Sequence, residues 1–251
     1  MHGALYLVPN TLDFGTDVEL PPIDDVLPAA VIRTAARLTH WVAESAKTTR
    51  AFLKRIDTVV PLAQALQTLV IVELPRPRKG ARDAPGADLG ALLGPALLGH
   101  DIGLISEAGL PAVADPGAAL VQAAHAAGIA VIALAGPSSL LLALAASGLN
   151  GQSFAFVGYL PVDSAERGAR IRELEALSRR TDQTQLMIET PYRNAALLGA
   201  LLMHLQAGTR LSVSCGLTLP GGYTRTDTIQ AWKARPVALP ADVPVVFSLL
   251  A

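Results

Sequence analysis

Cysteine occurs once in the 251 residues, at Cys215, so no internal disulfide can staple the fold and a reducing compartment is expected. Aromatic residues make up only 4 % of the chain, which leaves Ala, Leu and Val to build the core. Neither sign of charge dominates, with 20 basic against 21 acidic residues, so the global field of a wholesale nucleic-acid or membrane binder is missing. Apolar runs such as Leu140 to Ala146 fall far short of the roughly 20 residues that span a bilayer. The N-terminus shows no basic start followed by an apolar segment, so no secretory leader is expected, and the protein reads as soluble and cytoplasmic. G-x-G-x-x-G, G-x-x-x-x-G-K-[ST] and G-x-S-x-G are all absent, which removes support for dinucleotide, P-loop and serine-hydrolase readings. The histidines at 2, 40, 100, 125 and 204 are scattered, and none stands at ligand spacing from another or from the cysteine, so no metal site is expected.

What is present is a series of short apolar runs that empty into small-residue loops. Ala4 to Val8 reads as a buried parallel strand ended by Pro9. Val26 to Val42 reads as mixed strand and helix, Ser45 to Arg55 as a basic amphipathic helix, and Leu69 to Val72 as a strand. Pro75 to Gly86 is a basic, Pro/Gly-rich loop without periodicity. A strand over Asp101 to Ser106 leads into Ile105-Ser-Glu-Ala-Gly-Leu-Pro-Ala-Val-Ala-Asp-Pro-Gly117. A loop of this composition after a strand stands where α/β proteins place ligands. Asp115 is expected to N-cap the next helix, with Pro116 at its first position and Gly128 beyond its end. A carboxylate at that helix start disfavours phosphate and favours a neutral or cationic ligand.

A strand over Ile129 to Leu134 completes a right-handed βαβ unit. Gly136-Pro-Ser-Ser139 opens a helix ending near Gly148, with Ser138 available as its cap. Further on, strands are expected at Phe154 to Val157, Leu186 to Glu189 and Val243 to Leu250, and helices at Ser164 to Arg180 and Tyr192 to Leu205. Thr190 before Pro191 reads as the cap of the second helix. Leu211 to Leu217 and Tyr223 to Ile229 form a hairpin around Pro220-Gly-Gly222. The fold class is therefore α/β with two domains. Residues 1–137 carry a mostly parallel sheet with flanking helices, and 138–251 a mixed sheet with helices.

Five stretches in order resemble the tetrapyrrole methylase superfamily of S-adenosylmethionine-dependent methyltransferases, and within it the ribosomal RNA small-subunit methyltransferase I branch. They are Ala43-Glu44 through Thr49-Arg50, Ile105 to Gly117, Leu134 to Ser139 with Ser147-Gly-Leu149, Phe154 to Pro161, and Ile188 to Arg193. The resemblance implies a homodimer of cytoplasmic two-domain chains that serves rRNA processing, with S-adenosyl-L-methionine bent in a cleft between the domains. It assigns the cofactor to Pro9, Ser106, Glu107, Ala108, Gly109, Pro111, Pro137, Ser138, Ser139, Ile188, Glu189, Gly216, Leu217, Thr218 and Pro244. The acceptor side takes Glu44, Arg50, Glu73, Arg76 and Arg193. Three features depart from the branch. Pro9-Asn-Thr-Leu12 replaces Pro-Ile-Gly-Asn-Leu, the Glu-Asp-Thr-Arg signature is reduced to Glu44-Ser-Ala-Lys-Thr-Thr-Arg50, and a small C-terminal helical extension is not seen.

Transfer of a methyl group to a hydroxyl requires removal of its proton, and carboxylates are the expected agents. Glu107 and Glu189 rank first because both stand at carboxyl ends of strands; Glu44 and Glu73 follow. The expected activity is ribose 2′-O-methylation of small-subunit RNA, with Lys47, Arg50, Arg76, Arg78, Lys79 and Arg82 placed to meet phosphates. A methyltransferase for a tetrapyrrole or another small molecule, and a non-catalytic S-adenosylmethionine-binding protein, are the alternatives.

Overall fold

The computed structural model describes residues 2–13, 20–75 and 89–251. It divides into two compact units, one ending at Pro137 and the other running from Ser138 to Ala251. Both are α/β, one with a parallel and one with a mixed sheet, as the sequence pattern implies.

The first unit runs β1 (Ala4–Leu7), α1 (Ile23–Val26), α2 (Ala29–Arg37), β2 (His40–Ala43), α3 (Ala46–Asp57), β3 (Val70–Glu73), α4 (Leu89–Leu92), α5 (Gly94–Leu97), β4 (Ile102–Ile105), α6 (Ala118–Ala126) and β5 (Ala130–Ala133). Its five strands lie in the order β3-β2-β4-β1-β5, and every neighbouring pair is parallel. Alternation along each strand feeds two cores, one on each face of the sheet. Trp41 and Ala43 meet Ile32 and Ala35 of α2 and Phe52, Leu53 and Ile56 of α3. Val42 points the other way, with Ile102 and Leu104, towards Leu93, Ala96, Leu120 and Ala124. Each fully buried large side chain of this kind contributes roughly 1.5–3 kcal/mol. Gly103 sits on β4 because the Trp41 ring fills the space beside it: a Cβ there would stand 2.6 Å from the ring.

One expectation fails in this unit. Asp115 does not cap α6. The N-cap is Gly117, at φ 131° and without a side-chain cap bond, and the helix begins only at Ala118. Ala112 at φ 65°, Ala114 at φ 63° and Gly117 coil the chain through left-handed turns. The Ala112 N–H closes on the Pro116 carbonyl at 3.3 Å. The last bend falls after Asp115 and leaves its carboxyl in the loop. No carboxylate therefore caps this helix start to disfavour a phosphate there.

The second unit runs α7 (Ser139–Ser147), β6 (Phe154–Phe156), α8 (Ser164–Thr181), β7 (Thr184–Ile188), α9 (Asn194–His204), β8 (Arg210–Cys215), β9 (Tyr223–Thr228), α10 (Ile229–Ala234) and β10 (Val245–Leu250). The sheet order is β6-β7-β10-β8-β9, with β6 and β7 parallel and the other pairs antiparallel. The hairpin expected around Pro220-Gly-Gly222 is the β8–β9 pair. Val245, Phe247 and Leu249 of β10 face a core with Ile171 and Leu174 of α8, Leu197 and Leu201 of α9, and Trp232 of α10. Val246 turns to Leu140, Ala143 and Leu144 of α7. Ser138 is the N-cap of α7 by position, yet its side chain makes no cap bond; Gly148 ends the helix at φ 66°. Thr190 likewise precedes a 3-10 turn over Pro191–Arg193 without a side-chain cap bond, and α9 follows at Asn194.

Candidate active site

In the first unit, β1 connects leftward across the sheet to β2, whereas β4 connects rightward to β5. The neighbours β1 and β4 thus send their chains away over opposite faces, which opens a crevice beyond their carboxyl ends. The loops after β1 and β4 meet there. The Asn10 N–H donates to the Gly109 carbonyl at 2.9 Å, and Asn10 Nδ2 donates to the Glu107 carbonyl at 2.9 Å and the Ser106 carbonyl at 3.2 Å. Asn10 thus pins Ser106 to Gly109, although the sequence reading passed over it. Behind it, a Cβ on Gly136 would stand 2.2 Å from that of Pro9, so only glycine lets these loops close up. The structure therefore gathers Pro9, Ser106, Glu107, Ala108, Gly109 and Gly136, and Pro137 lies beside Gly109. Pro111 is buried farther along the same loop.

The carboxylates here have distinct surroundings. Glu44 Oε2 accepts from the Glu107 N–H at 3.0 Å, and Glu73 Oε1 accepts from the Ala46 N–H at 2.7 Å at the start of α3. Glu107 points to solvent. Arg50 bonds only weakly back to the Ala46 carbonyl, at 3.4 Å, and is exposed. Asp115 is pushed up to about 7, first by burial and then by the negative charges of Glu44 and Glu107. The buried Ser106 hydroxyl acts the other way, lowering it by hydrogen bonding. Arg76, with Arg78, Lys79 and Arg82, lies outside the described residues.

In the second unit, Ile188 and Leu217 pack beside α7. Glu189 follows β7 and is sealed, its side chain 3 % exposed. Oε2 pairs with Arg193 at 2.9 Å, and Oε1 accepts from the Thr190 N–H at 2.8 Å. This carboxylate ties the turn into α9, and Arg193 is spent on it. Gly216 at φ 60° and Thr218 at φ 67° shape the loop after β8, and the Gly216 N–H donates to the Pro244 carbonyl at 3.0 Å. Beside them a cavity of about 360 Å³ is lined by Cys215, Gly216, Tyr223, Pro240, Asp242 and Val243, among others. Burial pushes the Cys215 thiol and the Tyr223 phenol up, so both keep their protons at neutral pH, and the Tyr223 hydroxyl is buried without a partner. Ser138 is buried and Ser139 opens α7.

Sequence reasoning missed the loop-pinning role of Asn10 and misplaced Asp115 as a helix cap. For Asp115 a signal existed: Asp-Pro-Gly is turn chemistry as much as cap chemistry. No group of three or more metal-ligating side chains occurs among the described residues.

The fold is that of the tetrapyrrole methylases. Uroporphyrin-III-C-methyltransferase from Thermus thermophilus superposes with a TM-score of 0.52 at 18 % identity, over 100 % of this chain and 93 % of that one. A putative cobalamin synthesis related protein from Corynebacterium diphtheriae gives 0.59 at 14 % identity, over 100 % and 99 %. In sequence the chain resembles ribosomal RNA small subunit methyltransferase I. It is 38 % identical to that of Mesorhizobium japonicum over 146 residues, 58 % of this chain and 48 % of the relative. To that of Halalkalibacterium halodurans it is 30 % identical over 203 residues, 81 % of this chain and 61 % of the relative. The chain thus spans about half to three-fifths of the length of these curated relatives. No family model matches it.

Proposed function

We propose that this chain is an S-adenosylmethionine-dependent methyltransferase whose acceptor is a ribose 2′-hydroxyl of small-subunit ribosomal RNA. The observation that carries the reading is the 30 % identity over 203 residues to a protein named for that class of substrate. The crevice at the β1–β4 switch point supports it.

The residues present fit the cofactor. Gly109, at φ 64°, keeps the loop after β4 free of a side chain beside Leu12 and Pro137, and the Tyr223 hydroxyl is a buried polar atom without a partner. Pro9, Ser106 to Gly109, Pro111 and Pro137 would hold it from the first unit. Ser138, Ser139, Ile188, Glu189, Gly216 to Thr218 and Pro244 are its assigned residues in the second. When bound, the cofactor supplies an electrophilic methyl group. The chain's own work is to align donor and acceptor, worth roughly 7–11 kcal/mol of barrier in well-oriented systems, and to accept the hydroxyl proton. Glu189 fits the role of a clasp that holds the Ile188 turn in place, while the proton acceptor belongs to the first unit. Glu44, Arg50, Glu73 and Arg76 remain the acceptor-side assignments. The same reading carries a cytoplasmic homodimer, with the division at residues 137 and 138 as its domain boundary.

The test is transfer of radiolabelled methyl from S-adenosylmethionine to small ribosomal subunits lacking the modification, beside a tetrapyrrole acceptor. Labelled RNA is the expected result. Label on the tetrapyrrole alone moves the chain to the small-molecule class of its structural neighbours. Calorimetric binding without transfer to either acceptor defines a non-catalytic binder.

A further inference from the structure

We propose that Tyr159 and Tyr192 form a stacking platform for unpaired bases of the acceptor RNA, with Arg167, at the foot of the Tyr159 loop, meeting a phosphate. This rests on the RNA methyltransferase reading and names a contact surface for its substrate.

Aromatic residues are scarce in this chain, and their distribution is uneven. Trp41, Phe52, Trp232 and Phe247 are buried, as large rings in a core of small aliphatic residues should be. Among the described residues only Phe154, Phe156, Tyr159 and Tyr192 are exposed aromatics, and all four stand on β6, on the loop after it or on the turn after β7. Single exposed apolar residues need no explanation, but exposed rings gathered in one place mark a contact surface. Phe154 and Phe156 lie within β6 and stay partly covered. Tyr159 and Tyr192, 60 % and 75 % exposed, stand beyond the carboxyl ends of the two strands.

The two loops are tied to each other and to the core. β6 and β7 run parallel, with Phe154 opposite Thr184 and Phe156 opposite Leu186, so their chains leave the sheet side by side. The Val157 N–H donates to the Leu186 carbonyl at 2.8 Å, and the Ile188 N–H donates to the Gly158 carbonyl at 3.3 Å. Leu160, next to Tyr159, is buried in the core with Ile171 and Leu197. Tyr192 is fixed from both sides. The Glu189–Arg193 pair spans it, and the buried Asn194 follows, with Nδ2 donating to the Val243 carbonyl at 3.1 Å. A tyrosine on anchored backbone has only two side-chain torsions to lose when a base stacks on it.

Unpaired RNA is the occupant that this surface fits. Nucleotides splayed out of a helix lose their own stacking, and aromatic side chains replace it. Such stacking tolerates any sequence, because every base has a flat face. Tyr192 follows Glu189 by three residues, and Gly158, just before Tyr159, bonds to Ile188. Both rings therefore border the turn to which the cofactor is assigned, and a base held there keeps its strand at that end of the unit. The charge agrees. Arg167 has no ion pair among the described residues; its Nη1 donates to the Val162 carbonyl at 3.1 Å, and its Nε–H is buried without a partner. Asp163, at the same helix start, spends Oδ1 on the Ala165 and Glu166 N–H groups. A phosphate supplies the countercharge that Arg167 lacks.

The experiment measures methyl transfer to small ribosomal subunits at saturating cofactor, over a range of salt. Tyr159→Ala and Tyr192→Ala should each raise KM for the subunits about fivefold or more, with kcat within about twofold. Tyr159→Phe and Tyr192→Phe should restore KM to within about twofold of the unaltered protein, because stacking needs the ring and not the hydroxyl. Arg167→Gln keeps a donor for the Val162 carbonyl and should weaken the rise of KM with salt by about one phosphate contact. Ultraviolet irradiation of the unaltered protein on the subunits should cross-link RNA to the peptides that carry Tyr159 and Tyr192, read by mass spectrometry. Sedimentation of each variant records its oligomeric state.

Alanine variants that leave KM unmoved overturn the platform. Absence of both cross-links does so too, even if the alanine variants fail to fold. Variants that change the oligomeric state while KM stays put assign the rings to a contact between two copies of the chain, and overturn it equally. An Arg167→Gln protein with unchanged salt dependence overturns the phosphate contact. An unaltered protein that labels a tetrapyrrole alone, or transfers nothing, overturns the functional reading and the platform together. Transfer to RNA that ignores both alanine substitutions overturns the platform alone.

Discussion

Both units tie carboxylates to arginines, Asp13 and Asp101 in the first and Glu189 and Asp227 in the second, but only the first holds a carboxyl, Asp115, that burial pushes up to about 7. In the second unit Glu189 is held by Arg193 and the Thr190 N–H, and Glu175 by the Gln206 N–H and the Thr209 hydroxyl. Asp227 is flanked by Arg225 and Arg235. In the first unit, burial first and then the charges of Glu44 and Glu107 raise Asp115 to about 7. Paired charges fix a backbone, whereas a charge kept without a cation is expensive to hold and cheap to protonate. The first arrangement suits a scaffold and the second suits proton transfer.

The largest test of this contrast is Arg193→Ala. It leaves the Glu189 charge buried without its cation, and should cost about 3–5 kcal/mol of stability. Thermal unfolding monitors it, and an unchanged Tm would show that the pairing does not hold the β7–α9 turn.

Asp115→Asn should act in the opposite direction. A carboxyl raised in the folded state is disfavoured in its charged form, so the penalty is absent below about pH 4, grows through the acid range and is complete above about 7. The variant should therefore gain about 1–2 kcal/mol over the unaltered protein at pH 8, after allowance for partial solvent screening, and little at pH 4. Chemical denaturation at the two pH values measures the difference. An equal effect at both would break the comparison.

The smallest effect serves as the control. Arg170→Ala removes an exposed pair with Glu173 on α8 and should change stability by less than about 0.5 kcal/mol. A larger loss would mean that exposure is the wrong way to separate these ion pairs.

Most strands and the longer helices were legible because they rest on local chemistry, whereas the short helices α4, α5 and α10 were not read from the sequence. Buried parallel strands read as short apolar runs, and Pro220-Gly-Gly222 announced its hairpin. The strand order was not legible. Nothing local says that β4 inserts between β2 and β1, and the switch point depends on that insertion. Within the candidate site, the small residues of the 105–117 loop were found by composition. The place of Asp115, off the helix start, was not, because Ala112 and Ala114 adopt left-handed conformations that alanine disfavours and no sequence pattern predicts. Asn10 escaped for a related reason: its bonds reach residues more than ninety positions away.

The place of β10 has a consequence for how the chain comes to be folded. It follows the other four strands of its sheet in the chain, yet it lies in the middle, with β7 on one side and β8 on the other. Until Val245–Leu250 emerge, β6–β7 and β8–β9 are separate ribbons, each with an open edge available to a neighbouring chain. The five strands of the first unit are complete by Ala133 and can collapse early. The mixed sheet is therefore closed by its final strand, which supplies the non-local pairing that joins the two ribbons into one layer.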